Sequence, residues 1–108
     1  MNFSDTLEKM LSAAAQAAGV HWKDARGYLE SEFQQAKQDA ADIAEEVIAG
    51  TKTKEQAQLE LQSIELSLQS VQLALQADAK AAAQDAINAA LDVLKFAVND
   101  AVKFPLFV

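Results

Sequence analysis

Leu59-Glu60-Leu61-Gln62-Ser63-Ile64-Glu65-Leu66-Ser67-Leu68-Gln69-Ser70-Val71-Gln72-Leu73-Ala74-Leu75 is the stretch from which the rest of the chain can be read. Apolar and polar side chains often alternate in it, as they would in a half-buried strand. The same residues also repeat every seven as Leu-x-Leu-x-x-Ile/Val-x, and they are rich in Leu, Gln and Glu, which favour helix. Read as a helix, Leu61, Ile64, Leu68, Val71 and Leu75 form a seam that steps by threes and fours. Leu59, Leu66 and Leu73 then fall about 160–200° away from that seam, at ~100° per residue, as a second apolar stripe.

The punctuation upstream agrees with a helix. Gly50 supplies a residue able to end a preceding helix in the left-handed region. Thr53 followed by Gln56 has the spacing of a capping box. A stop and a start this close define a short antiparallel connection over residues 50–53. Before it, Leu7, Leu11, Ala14, Ala18, Trp22, Ala25, Leu29, Phe33, Ala36, Ala40, Ile43 and Val47 make one stripe at helical spacing. Ser4 is the expected N-cap. The stripe keeps phase through Ala18, Trp22 and Ala25, so one helix with a bend near Gly19 is expected over residues 5–49. A full break there would make three helices.

Residues 54–103 contain neither proline nor glycine. A continuous helix over them would be ~75 Å long. The sequence therefore predicts an all-α, single-domain protein: a long antiparallel two-helix hairpin with an apolar tail at 104–108. Its core is assigned to Trp22, Leu29, Phe33, Ile43, Val47, Leu61, Ile64, Leu68, Val71 and Leu75. In this register residues whose numbers sum to about 103 face each other, setting Trp22 against Ala79, Ala81, Ala82 and Ala83. A lone hairpin buries too little surface to be comfortably stable. The expectation is therefore self-association into a four-helix bundle or a larger helical oligomer. Its contacts are assigned to Leu59, Leu66 and Leu73, together with Phe104, Leu106 and Phe107 of the tail. The alternative for the tail is that Phe104 and Phe107 cap the chain's own core near Phe3 and Leu7.

Composition narrows the chemistry. The chain has 108 residues, no cysteine, one histidine and a formal charge of −7. Disulfides, thiolate metal sites and cysteine nucleophiles are thereby excluded. The acidic balance disfavours nucleic acid and anionic membranes as partners. His21 alone assembles no histidine-rich metal site within one chain. Asp39, Asp42, Glu45 and Glu46 lie three or four residues apart without a turn to converge them, which reads as a solvated helix face. No phosphate loop, catalytic triad or nucleophile elbow is present. No cofactor and no catalysis are expected. With no signal peptide or membrane-spanning segment evident, a cytoplasmic location is expected.

These features predict a non-enzymatic structural or interaction protein that acts as a homo-oligomer, a dimer or higher. In composition the chain is similar to phasin-type granule proteins and exchangeable apolipoproteins, without a specific motif of either. That similarity implies an alternative role, coating or carrying a hydrophobic surface or ligand, with lipid contact less favoured than protein contact. A helical filament, secretion or phage subunit is a further alternative.

Overall fold

The computed structural model describes the backbone of residues 3–74 and 77–108 and the side chains of residues 3–73 and 80–108. Four α-helices account for most of it: α1 (Thr6–Ala18), α2 (Trp22–Ala49), α3 (Lys54–Val71) and α4 (Ala77–Val102). No strand occurs among the described residues.

The connection between α2 and α3 is built as its local sequence predicts. Gly50 takes φ 80°, and the Gly50 and Thr51 N–H groups donate to the carbonyls of Val47 (3.1 Å) and Glu46 (2.9 Å). This pairing satisfies carbonyls at the end of α2 that lack helical partners. Thr53 Oγ1 accepts from Gln56 N–H at 3.2 Å, and Gln56 Oε1 accepts from Thr53 N–H at 3.1 Å, completing the capping box. The start of α1 is different from expectation. Asp5, rather than Ser4, is the N-cap, and its side chain makes no capping bond. The Ser4 hydroxyl instead donates to the Asp5 carboxylate at 3.4 Å.

Neither expected rod is continuous. The first is broken at Gly19, whose φ of 61° and ψ of −132° suit a residue without Cβ. A single 3-10 turn, Gly19–His21, then leads into α2. With 28 residues, α2 alone is ~42 Å long. The whole chain extends only 44 × 23 × 19 Å, so α1 cannot prolong α2 and is folded back along the bundle. The second rod divides without any glycine or proline: α3 ends at Val71, a 3-10 turn covers Gln72–Ala74, and α4 begins at Ala77. Helix propensity there is good, and burial overrides it. Folding both rods in half gives every helix at least two neighbours.

Side-chain contacts fix the direction of each helix. Near the hinge, Lys52 reaches both Glu46 of α2 and Glu60 of α3. Further along, Glu32, Gln35 and Asp39 of α2 line one cleft with Ser63, Ile64, Ser67 and Leu68 of α3. Between α3 and α4, Glu65 meets Lys95, and Gln69 and Gln72 line a cleft with Gln84 and Asn88. Asp5, Thr6 and Lys9 of α1 share a groove with the C-terminal half of α4. The topology is therefore up-down-up-down. α2 and α4 form the central pair, α1 packs chiefly on α4, and α3 lies chiefly on α2.

The core follows the expected stripes with three differences. Leu29, Phe33, Ile43, Leu61 and Leu68 are buried, while Trp22, Val47, Ile64 and Val71 pack half-buried against the core. Leu75 lies outside the described residues, as does the side chain of Ala79. First, Met10 is fully buried whereas Leu7 and Leu11 are only partly covered, so α1 is turned relative to its expected stripe. Second, α4 buries a double row: Ala82 with Ala83, Ala86 with Ile87, and Ala90 with Leu91. Ala14 and Ala18 on α1, and Ala82 to Ala90 on α4, give small contact surfaces that allow close helix approach. Third, Leu106 and Phe107 belong to this core at 1% and 2% exposure.

The four-helix bundle expected from two associating hairpins is thus formed within one chain. Its core is complete, with no buried side-chain nitrogen or oxygen lacking a partner among the described residues. Gly27 has a helical environment inside α2, and a Cβ there would meet nothing within 4 Å. Replacing it with alanine should stabilise the protein by about 0.5–1 kcal/mol. Urea melting checks this as a higher midpoint with an unchanged slope.

Candidate association surface

α3 is seated by its inner side. Ala57, Leu61 and Leu68 are buried against the bundle, with Ile64 and Val71 at the edges. Two lysines set its rotation. Lys52, only 13% exposed, bridges Glu60 at 2.7 Å and Glu46 at 3.3 Å. The hydrogen bond that Lys52 donates to Glu60 raises the Lys52 pKa above the ordinary lysine value. Partial desolvation opposes the rise, and the Glu46 hydrogen bond and both carboxylate charges reinforce it. Lys95 of α4 reaches Glu65 at 3.1 Å and lies over the Phe107 ring at 5.5 Å from its centroid.

The consequence appears on the outside of α3. Glu60 and Glu65, its only charged residues beyond the first turn, are on the flanks and are engaged by those lysines. Leu59, Leu66 and Leu73 are exposed at 69%, 58% and 71%, where their spacing predicts them. Between them lie Gln62, Ser63, Gln69 and Ser70. The outer face from Leu59 to Leu73 is therefore apolar or neutral throughout, on a chain of charge −7.

The tail residues assigned to intersubunit contact take a different place. Leu106 and Phe107 are buried in their own chain, and Phe104 is half-buried with Lys54 Nζ 5.7 Å from its ring centroid. The physical cause is Asn99. Its Oδ1 accepts from Leu106 N–H at 2.9 Å and Phe107 N–H at 2.8 Å, and its Nδ2 donates to the Phe107 carbonyl at 3.0 Å. The side chain thus serves the tail as an adjacent strand would. Lys103, at φ 66°, turns the chain out of α4 so that the tail can return. Phe104 and Phe107 thus pack on the chain's own core, as the alternative reading of the tail anticipated, but Leu106 joins them and the tail borders α3 at Gln58, Leu61 and Glu65.

A second exposed apolar region was not anticipated. Phe96 is 74% and Ile48 55% exposed, and both line a groove of about 870 Å³. Its other walls come from Val93, Ala97 and Ala101 of α4 and from Asp5, Thr6 and Lys9 at the start of α1. Asp92, Asp100 and Lys103 complete the lining, the last two paired at 3.7 Å. Phe96 and Ile48 are isolated apolar residues on separate helices. Only the folded-back α1 shows that they border one cavity.

Elsewhere the polar groups are occupied locally. Gln35 and Gln38 donate to Asp39 and Asp42 at 2.9 and 3.2 Å along α2. His21 lies 4.0 Å from Asp24, both largely in solvent. Among the described residues no three histidine or carboxylate side chains converge as metal ligands. Among the same residues no helix is long and apolar enough to cross a membrane. No protein-family model, curated protein or solved structure significantly matches the chain.

Proposed function

We propose that the protein is a non-enzymatic association module that acts by self-assembly, with copies meeting along the outer face of α3. The observation that carries this reading is the exposed Leu59, Leu66 and Leu73 stripe on a face without charge. Copies with a charge of −7 repel each other, and a neutral apolar strip is where that repulsion is least and the burial gain greatest. Seven-residue spacing is the pattern by which one helix meets another. The reading no longer depends on the chain needing a partner in order to fold. Association is a property of the finished bundle.

The mass in solution tests it. Light scattering at micromolar concentration should give at least twice the chain mass of 11.6 kDa. Leu66→Glu should return the particle to 11.6 kDa with its helix content unchanged. Each buried leucine is worth ~1.5–3 kcal/mol and occurs twice in a dimer, so Kd should weaken by about two to four powers of ten. A wild-type chain that stays at 11.6 kDa into the high-micromolar range overturns the proposal.

One observation favours a second reading, a carrier of an apolar ligand: the groove floored by Phe96 and Ile48. It ranks second because the three aspartates of the groove, Asp5, Asp92 and Asp100, outnumber its two lysines, Lys9 and Lys103, and the remaining negative charge disfavours anionic amphiphiles.

A further inference from the structure

We infer that the groove between α1 and α4 binds an amphiphilic organic cation, with its ammonium head at Phe96 and Asp92 and its apolar part along α4 toward Ala101. No residue of α3 lines this groove, so the site stands apart from self-assembly. At about 870 Å³ it falls within the range of small-molecule sites, ~300–1,000 Å³. Its α4 wall runs from Asp92 to Lys103, ~16 Å along the helix axis. Phe96 is the largest apolar side chain in it and leaves 74% of its surface uncovered. Val93, Ala97 and Ala101 continue the apolar surface along α4, and Ile48 adds to it from α2. Any apolar body laid on that surface gains by releasing water.

The charges select the head group. On the α1 wall, Asp5 and Lys9 balance each other. On the α4 wall, Lys103 pairs with Asp100 at 3.7 Å. Asp92 is left over, and it makes no ion pair among the described residues. It stands four positions before Phe96, so the two share one helix face with Cβ atoms ~5–6 Å apart. A cation over the Phe96 ring is attracted by the ring and by the neighbouring carboxylate together. A sulfate or carboxylate head in the same place is repelled by Asp92 and by the charge of −7 on the whole chain. A neutral head gains from neither.

Titration calorimetry of the full chain with octyltrimethylammonium, octyl glucoside and octyl sulfate, each below its micellar concentration, compares three heads on one tail. The ammonium should saturate at one per chain and bind about fivefold or more tighter than the other two. Asp92→Asn should weaken the ammonium about two- to fivefold and leave the glucoside unchanged. Phe96→Leu keeps apolar cover but removes the ring, and should also weaken the ammonium about two- to fivefold while the glucoside changes less. Leu66→Glu should bind the ammonium as the unsubstituted chain does, whatever its effect on particle mass. Helix content at each end point separates binding from unfolding. Equal affinity for the three heads overturns the proposal, as does an ammonium that fails to saturate in the millimolar range or only unfolds the chain. Unchanged ammonium affinity in Asp92→Asn overturns it too. A fall in particle mass with Phe96→Ala would make the groove an interface between copies, which also overturns it.

Discussion

Phe33→Ala should unfold the protein at a temperature at least ten degrees lower than the unsubstituted chain, the expected loss being about 3–5 kcal/mol. Phe33 is fully buried and is the largest such side chain in the core. Many of its fellow core residues are alanines: Ala25, Ala36, Ala40, Ala83, Ala86 and Ala90. Alanine has no rotamer with which to move into a vacated space, so the hole left by the ring collapses poorly. This places the substitution toward the upper part of the usual range for aromatic truncation. Against a typical domain stability of about 5–15 kcal/mol, a large share of the total would be lost. Phe33→Leu retains most of the volume and should cost about 1–1.5 kcal/mol. Urea midpoints compare the two, and equal midpoints for alanine and leucine would show that the core is not packed around this ring.

Asn99→Ala should be the second most damaging change, at about 2–3 kcal/mol. The substitution removes one side chain and three hydrogen bonds, leaving the Phe107 N–H and carbonyl without their partner, while the Leu106 N–H keeps its bond to the Phe104 carbonyl at 2.8 Å. A donor stranded in a partly buried place costs ~1–3 kcal/mol, and water reaching the half-buried site relieves part of it. The tail would also hold Leu106 and Phe107 in the core less firmly. Carboxypeptidase digestion reads this directly: Val108 and Phe107 should be released faster from Asn99→Ala than from the unsubstituted chain. Asn99→Asp keeps acceptors for both N–H groups but turns a lone pair toward the Phe107 carbonyl, and should lie between the two. Equal trimming rates for all three chains would mean that Asn99 does not hold the tail.

How far the sequence could be followed depended on the range of each interaction. The hinge was legible because Gly50, Thr53 and Gln56 act within a few residues of one another, and their geometry follows from local chemistry alone. The exposed row of Leu59, Leu66 and Leu73 was legible from periodicity, since a helix can turn only one side inward. The break after Val71 was not, because no glycine or proline marks it. Its trace lies in α4, where Ala82, Ala83, Ala86, Ile87, Ala90 and Leu91 form an apolar band two residues wide. A band that wide requires neighbours on two sides, whereas the partner of a simple hairpin covers only one. The Asn99 clamp was beyond reach because an asparagine on a helix is unremarkable until a chain end returns to it. Phe96 and Ile48 were missed for a related reason: the groove exists only once three helices have been placed.

The packing of α1 on α4 has a kinetic consequence. The first helix finds its main partner in the last, some seventy residues further along the chain. α2 and α3 can pair across their short hinge almost as soon as both exist, because little loop entropy is lost. α1 packs partly on α2, but most of the surface that buries it is in place only once α4 has been laid against that pair. Helical bundles owe their rapid folding to short-range contacts, and here one helix out of four makes most of its contacts at long range. Docking of α1 is then the expected closing event of folding, and hydrogen exchange should find its amides among the first to open from the native state.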